Sequence, residues 1–449
     1  MENRYYEQRD LKYIWHPCSQ MKDYESLPPI VIEKGKGVYL YDIYGKEYID
    51  IISSWWANLL GHNNKKINSA LKKQVDKLEH VIFANFSHKP IIELSEKLIN
   101  IAPKGLTKCN YSDNGSSSIE SALKLSFQYH IQQGSKDKVK FMCLSGGYHG
   151  ETIGALSVGA VDLYTQIYKP ILLDTIHIKS PDCYNCPFNK TRYNCNTECF
   201  VYAEEQFEKY GKNTCSIIIE PLLQGSAGMK IYPKDYLVKL REICDYYNVH
   251  LIADEIATGF GRTGEMFACN HANITPDIMC LSKGLTGGYM PMSVTLTTED
   301  IYNTFYDDYN KGKSFMHSHT YSGNPLGASC ANKVIDILQE DDIINKAQKK
   351  ANYLTEQFNE LFLNHKNVGE IRHIGLIHAL ELVENKVTKK QFDTNKRIGY
   401  EIYKKALEKG LILRPLGNVI YFNPPLTITK QQLNKALKIA YSCINDILG

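Results

Sequence analysis

Two apolar runs of this chain each end on a side chain that could do chemistry. Residues 276–281 form a short apolar run typical of a buried strand, and Lys283 follows it at a glycine-rich turn. Open α/β sheets bind ligands at the carboxyl ends of their strands, and burial there lowers the pKa of an amine and makes it a nucleophile towards aldehydes. On its own, the pattern is more typical of a solvated turn lysine.

A second apolar run strengthens the functional interpretation of Lys283. Residues 249–253 are mostly apolar and are followed by Asp254 and Glu255. A pyridoxal phosphate enzyme needs a lysine that binds the cofactor as a Schiff base and a carboxylate that keeps the pyridinium nitrogen protonated. Asp254 and Lys283 follow consecutive predicted strands in this order, so the pair indicates pyridoxal 5'-phosphate chemistry.

The composition is that of an ordinary globular protein. Of the 449 residues, 43% are hydrophobic and 22% are charged, and the length is sufficient for two or three domains. The net charge of +3 predicts no nucleic-acid partner. The polar N-terminus and the lack of an apolar run of ~20 residues predict no signal peptide and no membrane partner. Thirteen cysteines, mostly single, predict reduced thiols in a cytoplasmic protein.

Element patterns divide the chain into three parts. Residues 1–64 form an aromatic-rich arm that we expect to pack with the C-terminal part, and they include a predicted hairpin over 37–50. Residues 65–330 alternate strand and helix patterns, which predicts a large α/β domain with a mostly parallel sheet covered by helices. Residues 331–449 have longer helical patterns and predict a smaller α+β domain. The predicted strands are 108–112, 140–144, 216–220, 251–254, 278–281, 293–296, 377–381 and 419–422, and the predicted C-terminal helices are 331–339, 343–365, 392–409 and 428–447.

A polar stretch at 111–120 follows one predicted strand and opens a helix. Gly115 and the three serines after it stand at the start of this helix, where free N–H groups and the helix dipole favour a phosphate. Ser117 and Glu120 have the spacing of a capping box. The alternative is a plain capped helix start without a phosphate.

Three further stretches carry aromatic or hydroxyl side chains. Tyr148 stands between glycines after a predicted strand, where its ring could stack on a flat cofactor. Trp55 and Trp56 either plug a core or wall a pocket for a substrate with an apolar chain. Residues 317–322 include two histidines, a weak metal pattern, and Thr320 is better suited to reach a phosphate.

Four cysteines lie close together in a polar segment. They are Cys183, Cys186, Cys195 and Cys199. Four thiolates could hold zinc tetrahedrally, although the inner spacing is short for a zinc ribbon. The alternative is free thiols in an insertion loop, and the sequence leaves the presence of a metal unknown.

The chain resembles the class III, fold-type I pyridoxal phosphate aminotransferases, and within them the members of the biotin pathway. The motifs around Asp254 and Lys283 are typical of the class, and the tryptophan pair and the Arg414 motif are typical of the biotin-pathway members. The resemblance runs nearly end to end. Its most specific stretches are 14–17, 53–57, 145–150, 254–264, 282–288 and 414–417.

This resemblance implies roles for the cofactor residues. Lys283 would hold the cofactor covalently and then shuttle the proton during transfer, and Asp254 would pair with the pyridinium nitrogen. Thr320 would contact the cofactor phosphate of the neighbouring subunit. The two subunits would form a homodimer with both active sites at their interface. The phosphate and ring contacts would come from Gly115, Ser116, Tyr148 and Thr320.

The resemblance also implies a substrate channel. Arg414 would bind the carboxylate of the keto-acid substrate, a bidentate task suited to guanidinium. The family often has a substrate-contacting aromatic residue where this chain has Cys18. The channel would be lined by Trp55, Tyr148, Lys283, Ser318, Arg414 and Tyr421.

The reaction implied by the resemblance is the amination of 8-amino-7-oxononanoate to 7,8-diaminononanoate. S-adenosylmethionine is the favoured amino donor, and lysine, which some relatives use, stays an alternative. A general ω-aminotransferase shares every cofactor residue and is the nearest rival. A non-catalytic pyridoxal phosphate-binding regulator would need an effector module, for which the chain offers no room outside the arm and the small domain.

Overall fold

The computed structural model describes residues 3–449 as an α/β protein. Its strands are β1 (Ile32–Lys36), β2 (Tyr39–Asp42), β3 (Glu47–Asp50), β4 (Leu106–Ser112), β5 (Lys140–Leu144), β6 (Ile176–Ile178), β7 (Thr214–Ile219), β8 (Leu223–Gln224), β9 (Lys230–Ile231), β10 (His250–Asp254), β11 (Ile278–Leu281), β12 (Ser293–Thr298), β13 (Val368–Ile374), β14 (Ile377–Leu382), β15 (Leu411–Ile412) and β16 (Val419–Phe422).

Helices precede, separate and follow these strands. They are α1 (Asn3–Tyr13), α2 (Ser53–Trp56), α3 (Lys65–Val75), α4 (Lys89–Ile101), α5 (Gly115–Gln132), α6 (Ile153–Ser157), α7 (Asp162–Thr165), α8 (Val201–Tyr210), α9 (Lys234–Tyr247), α10 (Ala268–Ala272), α11 (Glu299–Phe305), α12 (Pro325–Glu340), α13 (Ile343–Phe362), α14 (Ile398–Glu408) and α15 (Lys430–Leu448). Among residues 3–449 we find no helix with the length and apolar character needed to cross a membrane.

A seven-stranded sheet forms the centre of the molecule. Its strand order is β4-β12-β11-β10-β7-β5-β6, and the pairs from β11 to β6 are parallel. Strand β12 is antiparallel to both of its neighbours, so β4 runs in the same direction as β11. Every residue of β7, β10 and β11 is buried, because helices cover both faces of a parallel sheet. The predicted α/β class with a mostly parallel sheet is confirmed.

Two smaller sheets involve the ends of the chain. Strands β2 and β3 form the predicted antiparallel hairpin, and β3 pairs in parallel with the C-terminal strand β15. Strands β13, β14 and β16 form an antiparallel sheet in the C-terminal part. The division at residues 64 and 330 stays a prediction.

The start of α5 differs from the predicted capping box. The side chain of Asn114, not that of Ser117, caps this helix by accepting the Ser117 N–H at 3.0 Å. Glu120 instead accepts the N–H groups of Gly154 (2.8 Å) and Ala155 (3.1 Å) at the start of α6. The box prediction was wrong because Asn114, an equally good cap, stands three residues earlier.

Candidate active site

The carboxyl ends of the central strands bring the predicted residues to one edge of the sheet. Asp254 ends β10, and Lys283 lies two residues beyond β11. The loop with Tyr148 follows β5, and Glu220 directly follows β7. Because these strands are parallel, the side chains converge where open α/β sheets bind ligands.

Lys283 has an amine that is set up as a nucleophile. Its backbone is left-handed, with φ of 41°, which turns the chain sharply after the strand. Burial lowers the pKa of the Lys283 amine to about 8, although the nearby Asp254 and Glu220 carboxylates oppose the shift. The free-amine fraction at neutral pH rises by roughly two orders of magnitude. Among residues 3–449 no hydrogen bond or ion pair engages the amine, which lies 4.5 Å from the ring centroid of Trp56.

Asp254 is held by a histidine that the sequence reasoning did not single out. The Asp254 carboxylate bonds Nδ1 of His149 at 2.7 Å, and it accepts the Ile256 N–H at 3.1 Å. Both Asp254 and His149 are buried. These bonds fix the orientation of the carboxylate and leave it able to accept a further proton donor. His149 lies within the glycine-rich motif of Tyr148, which was the only sequence signal for it.

Glu220 is a second buried acid of the site that the prediction missed. Its carboxylate accepts the N–H of Tyr148 at 3.0 Å and the N–H of Gly225 at 2.9 Å. Burial, with the Asp254 carboxylate nearby, raises the pKa of Glu220 to about 7. Glu220 therefore positions the Tyr148 backbone. Like Asp254, it follows an apolar strand run, a signal that could have found it.

The N-terminus of α5 fits a phosphate. The N–H groups of Gly115 and Ser116 donate to no acceptor in the described part of the chain, which is the arrangement that anion sites use. A Cβ at Gly115 would lie 2.9 Å from the Ile256 side chain, so a larger residue there would require Ile256 to move. The Ser116 hydroxyl lies 2.7 Å from that of Thr152. With the amine of Lys283 and the Asp254 carboxylate, these groups match the three parts of pyridoxal phosphate.

The two tryptophans lie on a left-handed turn. All four residues of α2 have φ between 45° and 72°, a conformation that costs non-glycine residues about 1–2 kcal/mol each. The turn is held by bonds from Ser53 Oγ to the Asn423 carbonyl (2.7 Å) and from Ser54 Oγ to Asp50 (2.7 Å). This left-handed turn directs the two indole rings into different surroundings.

Trp56, rather than Trp55, lies against the nucleophile. It is 4% exposed, and its indole N–H donates to the Tyr421 hydroxyl at 3.0 Å. A Cβ at Gly225 would lie 2.8 Å from the Trp56 ring, so the close approach requires glycine. Tyr421, predicted to line the channel, is 1% exposed and reaches the site through Trp56. Trp55 is 38% exposed and stacks under Arg414, whose guanidinium carbon lies 4.1 Å from its ring centroid.

A buried arginine fixes the tryptophan turn to the rest of the molecule. Arg262 donates to the carbonyls of Trp56 (3.0 Å), Asn58 (3.2 Å) and Pro424 (2.6 Å) and to the Asn423 side chain (3.1 Å). It has no carboxylate partner among residues 3–449, and burial lowers the pKa of Arg262 to about 9. Its four bonds join three separate segments around the site. In the sequence, Arg262 was singled out only as part of the 254–264 stretch of the family resemblance.

Arg414 lies at the mouth of the site, next to the N-terminal arm. One of its terminal nitrogens donates to the Cys18 carbonyl at 3.4 Å, and the Cys18 thiol donates to Glu151 at 3.6 Å. The Tyr148 hydroxyl donates to the same Glu151 carboxylate at 2.9 Å. Tyr164 packs on Tyr148 with 5.1 Å between ring centroids, an aromatic neighbour that the prediction missed.

The predicted residues Ser318 and Thr320 are set apart from the others. Both lie in the 313–322 segment, which contacts the loop before α5 through a bond between His319 and Asp113 (3.1 Å). No hydrogen bond, ion pair or ring contact joins Ser318 or Thr320 to the other predicted site residues within 3–449. Their predicted roles stay predictions.

Within residues 3–449, the four cysteines of the 183–199 segment form no disulfide. Its four cysteines line one small cavity beside Pro233. As the side chains are placed in residues 3–449, no group of three or more His, Cys, Asp or Glu residues could hold a metal ion. Burial raises the pKa of Cys183 to about 12 and that of Cys199 to about 11.

Comparisons with known proteins identify the family of this chain. The model of the class III aminotransferase family matches residues 20–444. An adenosylmethionine-8-amino-7-oxononanoate aminotransferase from Geobacter sulfurreducens is 42% identical over 98% of this chain and 97% of its own. A protein of the same name from Helicobacter pylori is 43% identical over 95% of each chain.

Solved structures show the same likeness. The crystal structure of the Methanocaldococcus jannaschii protein of that name has a TM-score of 0.94 and 38% identity, over 99% of this chain and 100% of the other. An omega transaminase from Pseudomonas jessenii in complex with PMP has a TM-score of 0.94 and 30% identity, over 98% of each chain. The chain therefore belongs to the class III aminotransferases, which are pyridoxal phosphate enzymes.

Proposed function

We propose that this chain transfers an amino group to 8-amino-7-oxononanoate, giving 7,8-diaminononanoate for biotin biosynthesis, with S-adenosylmethionine as the amino donor. The observation that carries the proposal is the similarity, over nearly the whole length, to proteins named for this reaction. The geometry adds support, because Arg414 and Trp55 place a guanidinium beside an indole at the mouth of the site. That pair suits a substrate with a carboxylate at the end of an apolar chain.

The cofactor and the chain divide the work. When bound, pyridoxal phosphate supplies an electron sink that allows a proton to leave the substrate carbon. Asp254, oriented by His149, would keep the ring nitrogen protonated, and the free N–H groups of Gly115 and Ser116 would hold the phosphate. Tyr148, whose backbone is held by Glu220, would contact the ring.

Lys283 moves the proton. Because its pKa is lowered, the Lys283 amine can accept a proton from the substrate carbon. It can then donate that proton again at a later step of the amino transfer. The Trp56 ring packs 4.5 Å from the amine and offers its lone pair no hydrogen-bond donor. Arg414 would bind the carboxylate of the keto substrate and so orient it in the site.

The working unit is a cytoplasmic homodimer. Large apolar side chains are exposed within the segment that carries Thr320, namely Met316 (89% exposed) and Tyr321 (61%). A second copy of the chain would cover them and bring Thr320 to the phosphate of the neighbouring site. Light scattering of the purified protein should give twice the mass of one chain, and a monomer that is fully active would contradict this.

The donor test uses purified holoenzyme with 8-amino-7-oxononanoate as acceptor and a panel of amino donors. S-adenosylmethionine should support formation of 7,8-diaminononanoate, and its addition alone should shift the absorbance of the bound cofactor. Activity with lysine but not with S-adenosylmethionine would change the donor and keep the acceptor. No amination of the acceptor by any donor would refute the proposal.

A general ω-aminotransferase is the second candidate. It is favoured by the 30% identity to the Pseudomonas jessenii omega transaminase over 98% of both chains. Efficient amination of simple ketones or aldehydes, with no preference for 8-amino-7-oxononanoate, would establish it instead.

A further inference from the structure

Thr152, the last residue of the loop between β5 and α6, does not cap the helix that it precedes. It is the N-cap residue of α6, yet its side chain makes no bond to that helix. A threonine at this position ordinarily accepts the N–H of the second or third helical residue. Here those N–H groups, from Gly154 and Ala155, donate instead to Glu120 of α5 at 2.8 Å and 3.1 Å. Because α5 supplies the cap, the Thr152 hydroxyl bonds elsewhere.

The Thr152 hydroxyl joins two residues of α5. It donates to the Glu120 carboxylate at 2.5 Å and lies 2.7 Å from the Ser116 hydroxyl. A hydroxyl has one hydrogen, and that of Thr152 is directed to Glu120, so the Ser116 hydroxyl is the donor in its bond to Thr152. The Thr152 N–H donates in turn to the Ser116 oxygen at 3.1 Å. Three hydrogen bonds therefore hold Thr152 on the first two turns of α5.

Two glycines on either side of Thr152 bring the backbone close to the same helix. A Cβ at Gly150, where φ is 123°, would lie 2.6 Å from the Cβ of Ser116. A Cβ at Gly154 would lie 2.8 Å from the carboxylate carbon of Glu120. Real Cβ atoms do not approach other atoms so closely, and glycine avoids the contact because it has no Cβ. The loop end is thus seated directly on α5.

The other end of the β5–α6 loop is held at the edge of the central sheet. The Tyr148 N–H donates to Glu220 at 3.0 Å, and the His149 ring bonds Asp254 at 2.7 Å. In the proposed site this end contacts the cofactor ring, whereas the end at Thr152 lies on the helix whose first turn holds the phosphate. The loop therefore sets the spacing between the groups that would bind the two ends of the cofactor.

We propose that Thr152 is a positioning residue for the cofactor, whose hydroxyl fixes Tyr148 and His149 relative to the phosphate-binding turn of α5. The inference rests on the proposed placing of the ring and the phosphate, and it does not depend on which substrate is aminated. A ligand held at both ends binds more tightly when its two sites are already correctly spaced, because less conformational freedom is lost on binding. Without this hydroxyl, the free N–H groups of Gly115 and Ser116 would still hold the phosphate, and the ring would be held less firmly.

The test removes one hydroxyl at each end of α6. Thr152→Val keeps the shape of the side chain, and Thr152→Ser restores the hydroxyl. Thr175→Val is the matched control, because the Thr175 hydroxyl bonds the carbonyl of Ser157, the last residue of α6, at 2.8 Å. Each protein is loaded with pyridoxamine 5'-phosphate, which binds without a covalent link. Its release on dilution is timed, circular dichroism of the bound cofactor reports how the ring is held, and ³¹P NMR reports the phosphate.

The three readouts should separate in Thr152→Val. Release should be at least fivefold faster and the circular dichroism band of the cofactor weaker, while the ³¹P resonance stays that of the wild type. Thr152→Ser and Thr175→Val should release the cofactor within twofold of the wild-type rate. Glu120→Gln offers the same hydroxyl a neutral, weaker acceptor, so it should change release and circular dichroism in the same direction, and it replaces Thr152→Val if that variant does not fold.

Two results would overturn the inference. One is wild-type release and circular dichroism in both Thr152→Val and Glu120→Gln. The other is a shifted ³¹P resonance with an unchanged circular dichroism band, because Thr152 would then act on the phosphate itself. Gly115→Ala tests the phosphate placing separately, since an unchanged ³¹P resonance and release rate there would refute that placing and the inference with it. Failure to aminate 8-amino-7-oxononanoate would refute the proposed reaction alone, because these readouts need no substrate.

Discussion

Acidification should unfold this protein because it buries neutral histidines. His378 is fully buried on β14, where Nε2 bonds the Thr355 hydroxyl at 2.9 Å. Burial, with His373 beside it, lowers the pKa of His378 to about 3. His130 and His250 form a second buried pair with ring centroids 4.6 Å apart, and burial lowers the pKa of each to about 3.

The size of the effect follows from linkage. The unfolded chain protonates histidine near pH 6.5, whereas the folded state does so only near pH 3, so this stability is present above about pH 6.5 and is lost as pH falls towards 3. At pH 5 each histidine lowers the free energy of unfolding by about 2 kcal/mol, so the three together lower it by about 6 kcal/mol. Glu220 acts in the opposite direction, since its raised pKa of about 7 makes the folded state bind a proton first. A variant that lacks one of these histidines shows how much that histidine contributes to the pH dependence of the unfolding free energy.

The assay is urea unfolding at pH 7.5 and pH 5. For His378→Gln, the loss of unfolding free energy between these two pH values should be about 2 kcal/mol smaller than for the wild type. Thr355→Val is the matched control, because it removes the hydrogen-bond partner and keeps the titrating ring. Its baseline stability should fall while its pH dependence stays that of the wild type. An unchanged pH dependence in His378→Gln would refute the reasoning.

Substitutions at three residues of the site have further expected outcomes. Arg414→Lys should raise the KM for 8-amino-7-oxononanoate at least tenfold in steady-state assays, because an ammonium cannot reproduce bidentate carboxylate binding; an unchanged KM would contradict the assigned role. His149→Phe should slow turnover at least tenfold and shift the absorbance of the bound cofactor, because Asp254 loses its hydrogen-bond partner at 2.7 Å. An unchanged absorbance spectrum would contradict the role of His149 in orienting Asp254. Ser54→Gly should unfold at a higher temperature than Ser54→Ala, because only alanine pays about 1–2 kcal/mol for the left-handed φ of 45°; the reverse order would argue against the turn.

The sequence predicted the frame of the site well. Residues 140–144, 278–281 and 419–422 are strands with the predicted bounds, because each is an apolar run that ends at turn residues. The convergence of Asp254 and Lys283 followed from parallel strands alone. The three-residue strand β6 was missed, since so short a run has no readable period.

The finer arrangement depends on contacts between distant residues. A run of four non-glycine residues in the left-handed region contradicts local preference, so nothing in the sequence indicated that Trp56 would face Lys283 and Trp55 would face Arg414. The bond between His149 and Asp254 joins residues 105 positions apart. Such pairs are set by tertiary packing, which a single sequence does not display.

The measurement that tests the central claim most directly is the site of cofactor attachment. Holoenzyme is reduced with borohydride, which fixes the carbon–nitrogen double bond between cofactor and amine, then digested and mapped by mass spectrometry. Lys283 should carry the phosphopyridoxyl group, and Lys283→Ala should carry none while still binding cofactor non-covalently. A modified lysine elsewhere, or Lys283→Ala that transaminates at the wild-type rate, would contradict the account.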